Sequence, residues 1–104
     1  MDDDTVTLGG NIQLAGFKDL EAAQMIVLKK IIGTYARKFS NKCTKFELLK
    51  VSMKKVHELE HSEKYEVHVM VVDNGAQNTA TVTERNLFFA LDASLKKVEN
   101  EISK

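Results

Sequence analysis

Proline is absent from this 104-residue sequence, so no Pro-rich linker divides it. Its one cysteine, Cys43, excludes an internal disulfide and suits a reducing, cytoplasmic compartment. An excess of either charge is missing too. Lys+Arg 15 balance Asp+Glu 15, so overall charge gives no support for nucleic-acid binding, and any such case rests on where the charges sit. Apolar runs such as residues 25–28 fall far short of a membrane span. Three aspartates follow Met1, the opposite of the basic start of a secretory leader. No internal repeat is visible.

What is present is ordinary for a globular domain. Hydrophobic residues make up 43% and charged residues 29%, and the length suits one core rather than two. The expected division is residues 1–10 as a flexible or partly strand N-terminus and 11–104 as a single α+β domain.

Two stretches carry a helical period. In residues 86–104, Leu87, Leu91, Leu95, Val98 and Ile102 fall on one stripe with Phe88 at its edge. Phe89, Asp92, Lys96, Lys97, Asn100 and Lys104 lie opposite, and Asn86 is the expected cap. The earlier helix is expected over about residues 20–39, capped by Asp19 and ended by Ser40-Asn41-Lys42. Its apolar arc holds Met25, Leu28, Ile31, Ile32, Tyr35, Ala36 and Phe39, and its polar arc Lys29, Lys30 and Arg37 with Lys38 at the border.

Four stretches read as strands. Residues 11–15 form the first, extended upstream across a glycine bulge at Gly9-Gly10. Residues 46–59 form the second, with Leu49, Val51 and Met53 on one face and Leu48 leaving the register open. Residues 65–72 alternate, Tyr65, Val67, Val69 and Val71 against Glu66, His68, Met70 and Val72, after a polar connection at 60–64. Asp73-Asn74-Gly75 signals a tight turn. Residues 78–84 then alternate with Ala80 and Val82 inward and Thr79, Thr81 and Thr83 outward. The expected order is β-α-β-β-β-α, with two helices on one face of a four-stranded, mostly antiparallel sheet. The threonine face is left to solvent or to a ligand.

Three groups of residues suggest chemistry. His57-Glu58-Leu59-Glu60-His61 matches H-E-x-x-H, which needs a helix to place both histidines on one metal; here it continues a strand, no third ligand is evident, and a charged surface hairpin is the preferred reading. Cys43, beside Lys42 and Lys45, invites a lowered thiol pKa but has no partner base, so a plain loop or strand-edge cysteine is preferred. Clustered cations are the third group. Lys29, Lys30 and Arg37 share a side of the first helix, and Lys96, Lys97 and Lys104 repeat the spacing on the second. Side by side, the two helices would merge these into one basic patch, with Phe89 available to stack on a base. The plainer alternative is lysines that only solvate the outer helix faces and a Phe89 packed on a neighbour.

Ala80-Thr81-Val82-Thr83, then Asn86-Leu87-Phe88-Phe89-Ala90-Leu91-Asp92, then Lys97-Val98-Glu99-Asn100-Glu101-Ile102 follow one another without a gap. This succession, with Ile12, Leu14 and Gly16 near the start, resembles the ribosome hibernation-promoting factor and ribosome-associated translation inhibitor family in its short form. The resemblance is fullest over residues 78–104. It implies a double-stranded-RNA-binding-like fold. It also implies a non-enzymatic factor that binds ribosomal RNA of the small ribosomal subunit and inhibits translation by occupying the RNA channel. Lys97 stands at a matching basic position and Lys104 in the basic tail. The RNA-binding set expected from the helix faces and the resemblance together is Lys29, Lys30, Arg37, Lys38, Phe89, Lys96, Lys97 and Lys104. No cofactor, metal, membrane or small-molecule substrate is expected, and a monomer is the expected form. The alternative function is a protein-interaction module of the same fold without RNA binding; a zinc hydrolase is the least supported reading.

Overall fold

The structure is a computed structural model that describes residues 5–59 and 62–103, the side chains of 57–59 and 62 excepted. Five strands and two helices follow in the order β1 (Val6–Leu8), β2 (Ile12–Ala15), α1 (Ala22–Lys42), β3 (Phe46–Leu59), β4 (Ser62–Asp73), β5 (Ala76–Glu84) and α2 (Leu87–Ile102). The strands form one mixed sheet in the order β1-β2-β3-β4-β5. The α+β class and the helix count agree with the sequence reading; the strand count of four does not. Gly9 and Gly10, at φ 60° and 89°, reverse the chain, so Val6–Leu8 pairs back antiparallel on Ile12–Leu14 as a fifth strand. The glycine pair is therefore a hairpin turn and not a bulge within one strand.

Strands β2 and β3 are parallel, and α1 supplies the crossover that a parallel pair requires. Strands β3, β4 and β5 form an antiparallel meander. Asn74 and Gly75, at φ 52° and 86°, close the β4–β5 hairpin with both central residues at positive φ, as a two-residue primed turn demands. The open register of β3 is settled by a bulge. Phe46 pairs with Asp73 and Leu48 with Val72, so Glu47 is the extra residue. The bulge puts Phe46 on the same face as Leu49, and Leu48 on the other. Backbone N–H groups of Lys45 and Gly75 donate to Asp73 Oδ1 (2.9 Å) and Glu47 Oε1 (2.8 Å), pinning this end of the sheet.

Both helices cover one sheet face. Cross-strand rows Leu14–Val51–Val69–Ala80 and Met53–Val67–Val82 form the floor. Leu28, Ile32, Tyr35 and Phe39 of α1 and Leu87, Ala90, Leu91, Leu95 and Val98 of α2 are buried on it. The apolar arcs read from the period are thus the buried ones. Ser94 is the polar exception on that face; its Oγ donates to the carbonyls of Ala90 (2.8 Å) and Leu91 (2.9 Å), so it costs no unpaired group.

Helix ends follow local chemistry. Asn86 Oδ1 accepts from the N–H groups of Phe88 (2.9 Å) and Phe89 (3.1 Å), the expected cap. At α1 the cap is Glu21 and not Asp19. Residues 18–20 turn first, with Leu20 N–H on the Phe17 carbonyl (3.2 Å), and Glu21 N–H then donates to Gln24 Oε1 (3.1 Å). The helix also runs through Ser40-Asn41-Lys42, because Lys42 finds partners on α2 and Cys43 N–H closes on Phe39 O at 2.8 Å. Of the polar connection expected at 60–64, residues 62–64 belong instead to β4, whose first residue, Ser62, pairs with Leu59; Glu60 and His61 lie outside the described residues.

Gly16 is the one glycine held against another backbone. It has φ 90°, and a Cβ built there falls on the carbonyl oxygen of Met53. Gly75 has φ 86° but open space around it. Gly16→Ala is therefore expected to destabilise the fold by about 2 kcal/mol or more, and Gly75→Ala by only about 1 kcal/mol. Urea denaturation of both variants checks this, and equal losses would remove the close approach as the cause.

Candidate functional site

The helices lie parallel and in step. Tyr35 Oη donates to Asp92 Oδ1 at 2.9 Å, and seven residues further along both helices Lys42 Nζ lies 3.4 Å from Glu99 Oε2 and donates to Ser103 Oγ at 3.0 Å. Seven residues are about two turns, so the two contacts repeat on one side of each helix. Lys38 Nζ sits 4.8 Å above the Tyr35 ring, a cation–π contact that borders the same seam. Burial, first, and the Asp92 carboxylate, second, push the Tyr35 phenol up to about 12.

This seam decides what the expected cationic patch looks like. Lys29, Lys30, Arg37, Lys38, Lys96 and Lys97 are all exposed, as is Phe89 at 69%. On a wheel of about 100° per residue, Lys30 and Arg37 point straight out from the buried stripe of α1, and Lys38 leans towards α2. Lys96 borders the seam from the other side. Lys29 and Lys97 do not join them: each lies on the flank of its helix turned away from the other helix. Lys104 lies outside the described residues. Phe89 stands on the outward face of α2, so packing against a neighbouring helix is not its role.

Within that layer the charge is concentrated on α1. The helix carries Lys29, Lys30, Arg37, Lys38 and Lys42 and no Asp or Glu. In a chain of zero net charge, these five cations leave the remainder at −5. α2 differs, because three acids, Asp92, Glu99 and Glu101, accompany Lys96 and Lys97; Asp92 and Glu99 are engaged in the seam.

A cleft of about 490 Å³ opens where both helices begin. Strands β3 and β4, of 14 and 12 residues, run past the helix ends, and the floor beyond Met53 is left without a helix above it. Lys55 and Tyr65 pair across this overhang. Lys54, Arg85, Leu20 and Phe88 complete the walls, with Asp19 as the acidic member. Sequence reasoning missed this cleft. The signal was there in the strand lengths: a 14-residue strand reaches roughly 46 Å at about 3.3 Å per residue, and α2 with 16 residues only about 24 Å.

The remaining candidates lose ground. The first three residues of the H-E-x-x-H match, His57 to Leu59, lie in β3, an extended backbone that cannot stack two histidines on one helical face; Glu60 and His61 lie outside the described residues. No group of three metal-ligating side chains converges among the described residues. Cys43 runs against its neighbours in sequence. Burial, first, and the Asp73 carboxylate, second, push its thiol up to about 11, while Lys42 is turned to Glu99 and Lys45 to Glu47 at 3.9 Å. The uncovered sheet face holds the expected threonines, and Thr81 Oγ1 lies 2.8 Å from His68 Nδ1. No helix among the described residues is long and apolar enough to cross a membrane.

Comparison with the models of known protein families and with curated proteins finds no match for this chain.

Two predictions follow from the titrating groups. At pH 8 Cys43 is expected to react with iodoacetamide about a hundredfold more slowly than an unperturbed thiol, since two pKa units separate about 11 from 9.0; alkylation at the free-cysteine rate would show that Asp73 and burial do not govern it. Tyr35 binds its proton more tightly folded than unfolded. Its contribution to stability is therefore complete below pH 10 and is lost as pH rises from 10.0 towards about 12. Tyr35→Phe should flatten the denaturation midpoint over that window, and an unchanged slope would refute the linkage.

Proposed function

We propose that this domain is a non-enzymatic RNA-binding factor of the small ribosomal subunit, acting by occupying an RNA channel in the manner of the hibernation factors it resembles. The observation that carries the proposal is α1, a 21-residue helix with five cations and no acid on a chain of zero net charge. Phosphate recognition needs clustered cations with few competing carboxylates, more than it needs net charge. Lys30, Arg37 and Lys38 supply the centre of that surface, and Lys96 extends it across the seam. Lys29 and Lys97 stand on its outer flanks. The cleft beside Lys55, Arg85 and Tyr65 is where an RNA segment running along the helices would end.

A protein-interaction module is the second reading. Its support is the exposure of Phe89 at 69%, Ile26 at 59% and Val27 at 44%, all near the start of the two helices. Apolar docking through these residues resists salt, whereas phosphate contacts do not.

Co-sedimentation with purified small ribosomal subunits separates the two. Binding at 50 mM salt should weaken on the order of a hundredfold by 200 mM for about four phosphate contacts. Lys30→Glu, Arg37→Glu and Lys38→Glu together should abolish it with the far-UV CD spectrum unchanged, while Lys97→Glu alone has a smaller effect. Binding that survives the triple reversal would sink the α1 surface. Binding that is indifferent to salt and lost in Phe89→Ala would transfer the function to a protein partner.

A further inference from the structure

The two edges of the sheet are unequal. β1 is three residues long, and short edge strands are one of the ways in which proteins keep sheets from joining. β5 is nine residues long, Ala-Gln-Asn-Thr-Ala-Thr-Val-Thr-Glu, with its one charge at the last position. It has no proline, no lysine and no shift in its register with β4. No described residue covers its outer side. None of the usual protections of an edge is present, and four of its residues are β-branched.

The register fixes which backbone groups face outward. The two-residue turn at Asn74-Gly75 makes Asp73–Ala76 a hydrogen-bonded pair. Along an antiparallel ladder hydrogen-bonded and non-hydrogen-bonded pairs alternate. Ala76, Asn78, Ala80 and Val82 therefore direct their N–H and C=O groups to β4. Gln77, Thr79, Thr81 and Thr83 direct theirs outward.

These four residues are complementary to themselves. An antiparallel partner related by a two-fold axis at Ala80 pairs Gln77 with Thr83 and Thr79 with Thr81, so every outward group of the four finds its counterpart. Ala80 meets its own copy at the non-hydrogen-bonded position, where side chains approach most closely and a methyl group fits. Thr79 and Thr81 of the two copies line up on the uncovered face, a favourable cross-strand pair. Glu84 faces Ala76, so no like charges are opposed. The helix layer agrees. α2 lies over β4 and β5. Two such helices would stand about 10 Å apart, one strand spacing plus half a spacing on each side, which is an ordinary helix–helix distance. The flank of α2 on that side carries the small Ala90 and Ala93 together with the exposed Lys97, whose long stem can carry its charge out to solvent.

We propose that the free edge of β5 pairs with β5 of a second copy, giving a two-fold dimer with one continuous ten-stranded sheet in place of the monomer expected from the sequence. Sedimentation equilibrium of the full chain should show the 11.7 kDa mass doubling as concentration rises. In the dimer, the Thr79 and Thr81 amides should exchange slowly with deuterium, and dilution should release them. Thr79→Lys opposes this pairing with like charges near the axis, and Thr79→Pro removes one outward N–H without touching the β4 ladder. Both should sediment as monomers with an unchanged far-UV CD spectrum. Thr7→Lys, the same change on edge strand β1, should leave the dimer intact. A wild-type chain that stays monomeric to millimolar concentration overturns the proposal and leaves the edge for a strand of a different chain. A dimer that persists in Thr79→Lys with those amides exchanging freely overturns it as well, by placing the interface elsewhere.

Discussion

The in-step alignment of α1 with α2 is the constraint on which the rest of the structure depends. Its polar contacts are modest in energy. Lys42 and Glu99 keep side-chain exposures of 40% and 15%, and a pair that wet is worth about 0–1 kcal/mol. Tyr35 and Asp92, with a charged acceptor and a buried ring, hold more. The apolar stripes supply the bulk, at about 1.5–3 kcal/mol for each fully buried large side chain such as Leu28, Ile32, Leu91 and Leu95. The Tyr35–Asp92 and Lys42–Glu99 contacts, repeated seven residues apart, add a directional constraint on the register to this non-directional burial.

Two consequences follow for the surface. The acids of α2 that face α1 are both engaged in the seam, Glu99 paired with Lys42 and Asp92 accepting from the Tyr35 hydroxyl, and α1 adds no acid of its own beside Lys30, Arg37 and Lys38. The starts of both helices come to the same end of the sheet, where the long β3–β4 hairpin passes beneath them and makes the cleft. The charge layout and the cavity thus have one structural cause.

Elements with a strong period were legible in the sequence; those that depend on pairing were not. The buried stripes of both helices, the Asn86 cap, the Asn74-Gly75 turn and the bounds of β3 could be read directly, because each rests on a local rule. The hairpin at Gly9-Gly10 could not, since a glycine pair between two short apolar stretches suits a bulge and a reversal equally, and only pairing with Ile12–Leu14 decides. The face of Phe46 required the bulge at Glu47, a non-local feature. At the site, exposure of the cations was legible from helix geometry. Their division among outward, seam and far-flank positions was not, because it depends on which side of α1 meets α2. Cys43 shows the same limit: Lys42 and Lys45 are its neighbours along the chain, but Asp73, thirty residues on, is its neighbour in space.

The position of the helices over the sheet also relates the two proposals. α1 connects β2 to β3 and lies on the β1 side, while α2 lies over β4 and β5. A two-fold axis at the β5 edge therefore brings α2 and its copy to the centre of a four-helix row and leaves each α1 on the outside, all on one side of the joined sheet. With about 10 Å between adjacent helices, the two α1 surfaces stand roughly 30 Å apart. Lys97, the cation that shares least with α1, falls at the centre of that row rather than on its cationic margins. Two phosphate-binding surfaces held at a fixed spacing on one face gain from effective concentration: once the first engages an RNA, the second binds as an intramolecular step. A domain with zero net charge and five cations on one helix has weak means of holding RNA alone. Duplication through β5 doubles the cationic surface of α1 while leaving that surface outside the interface that creates it.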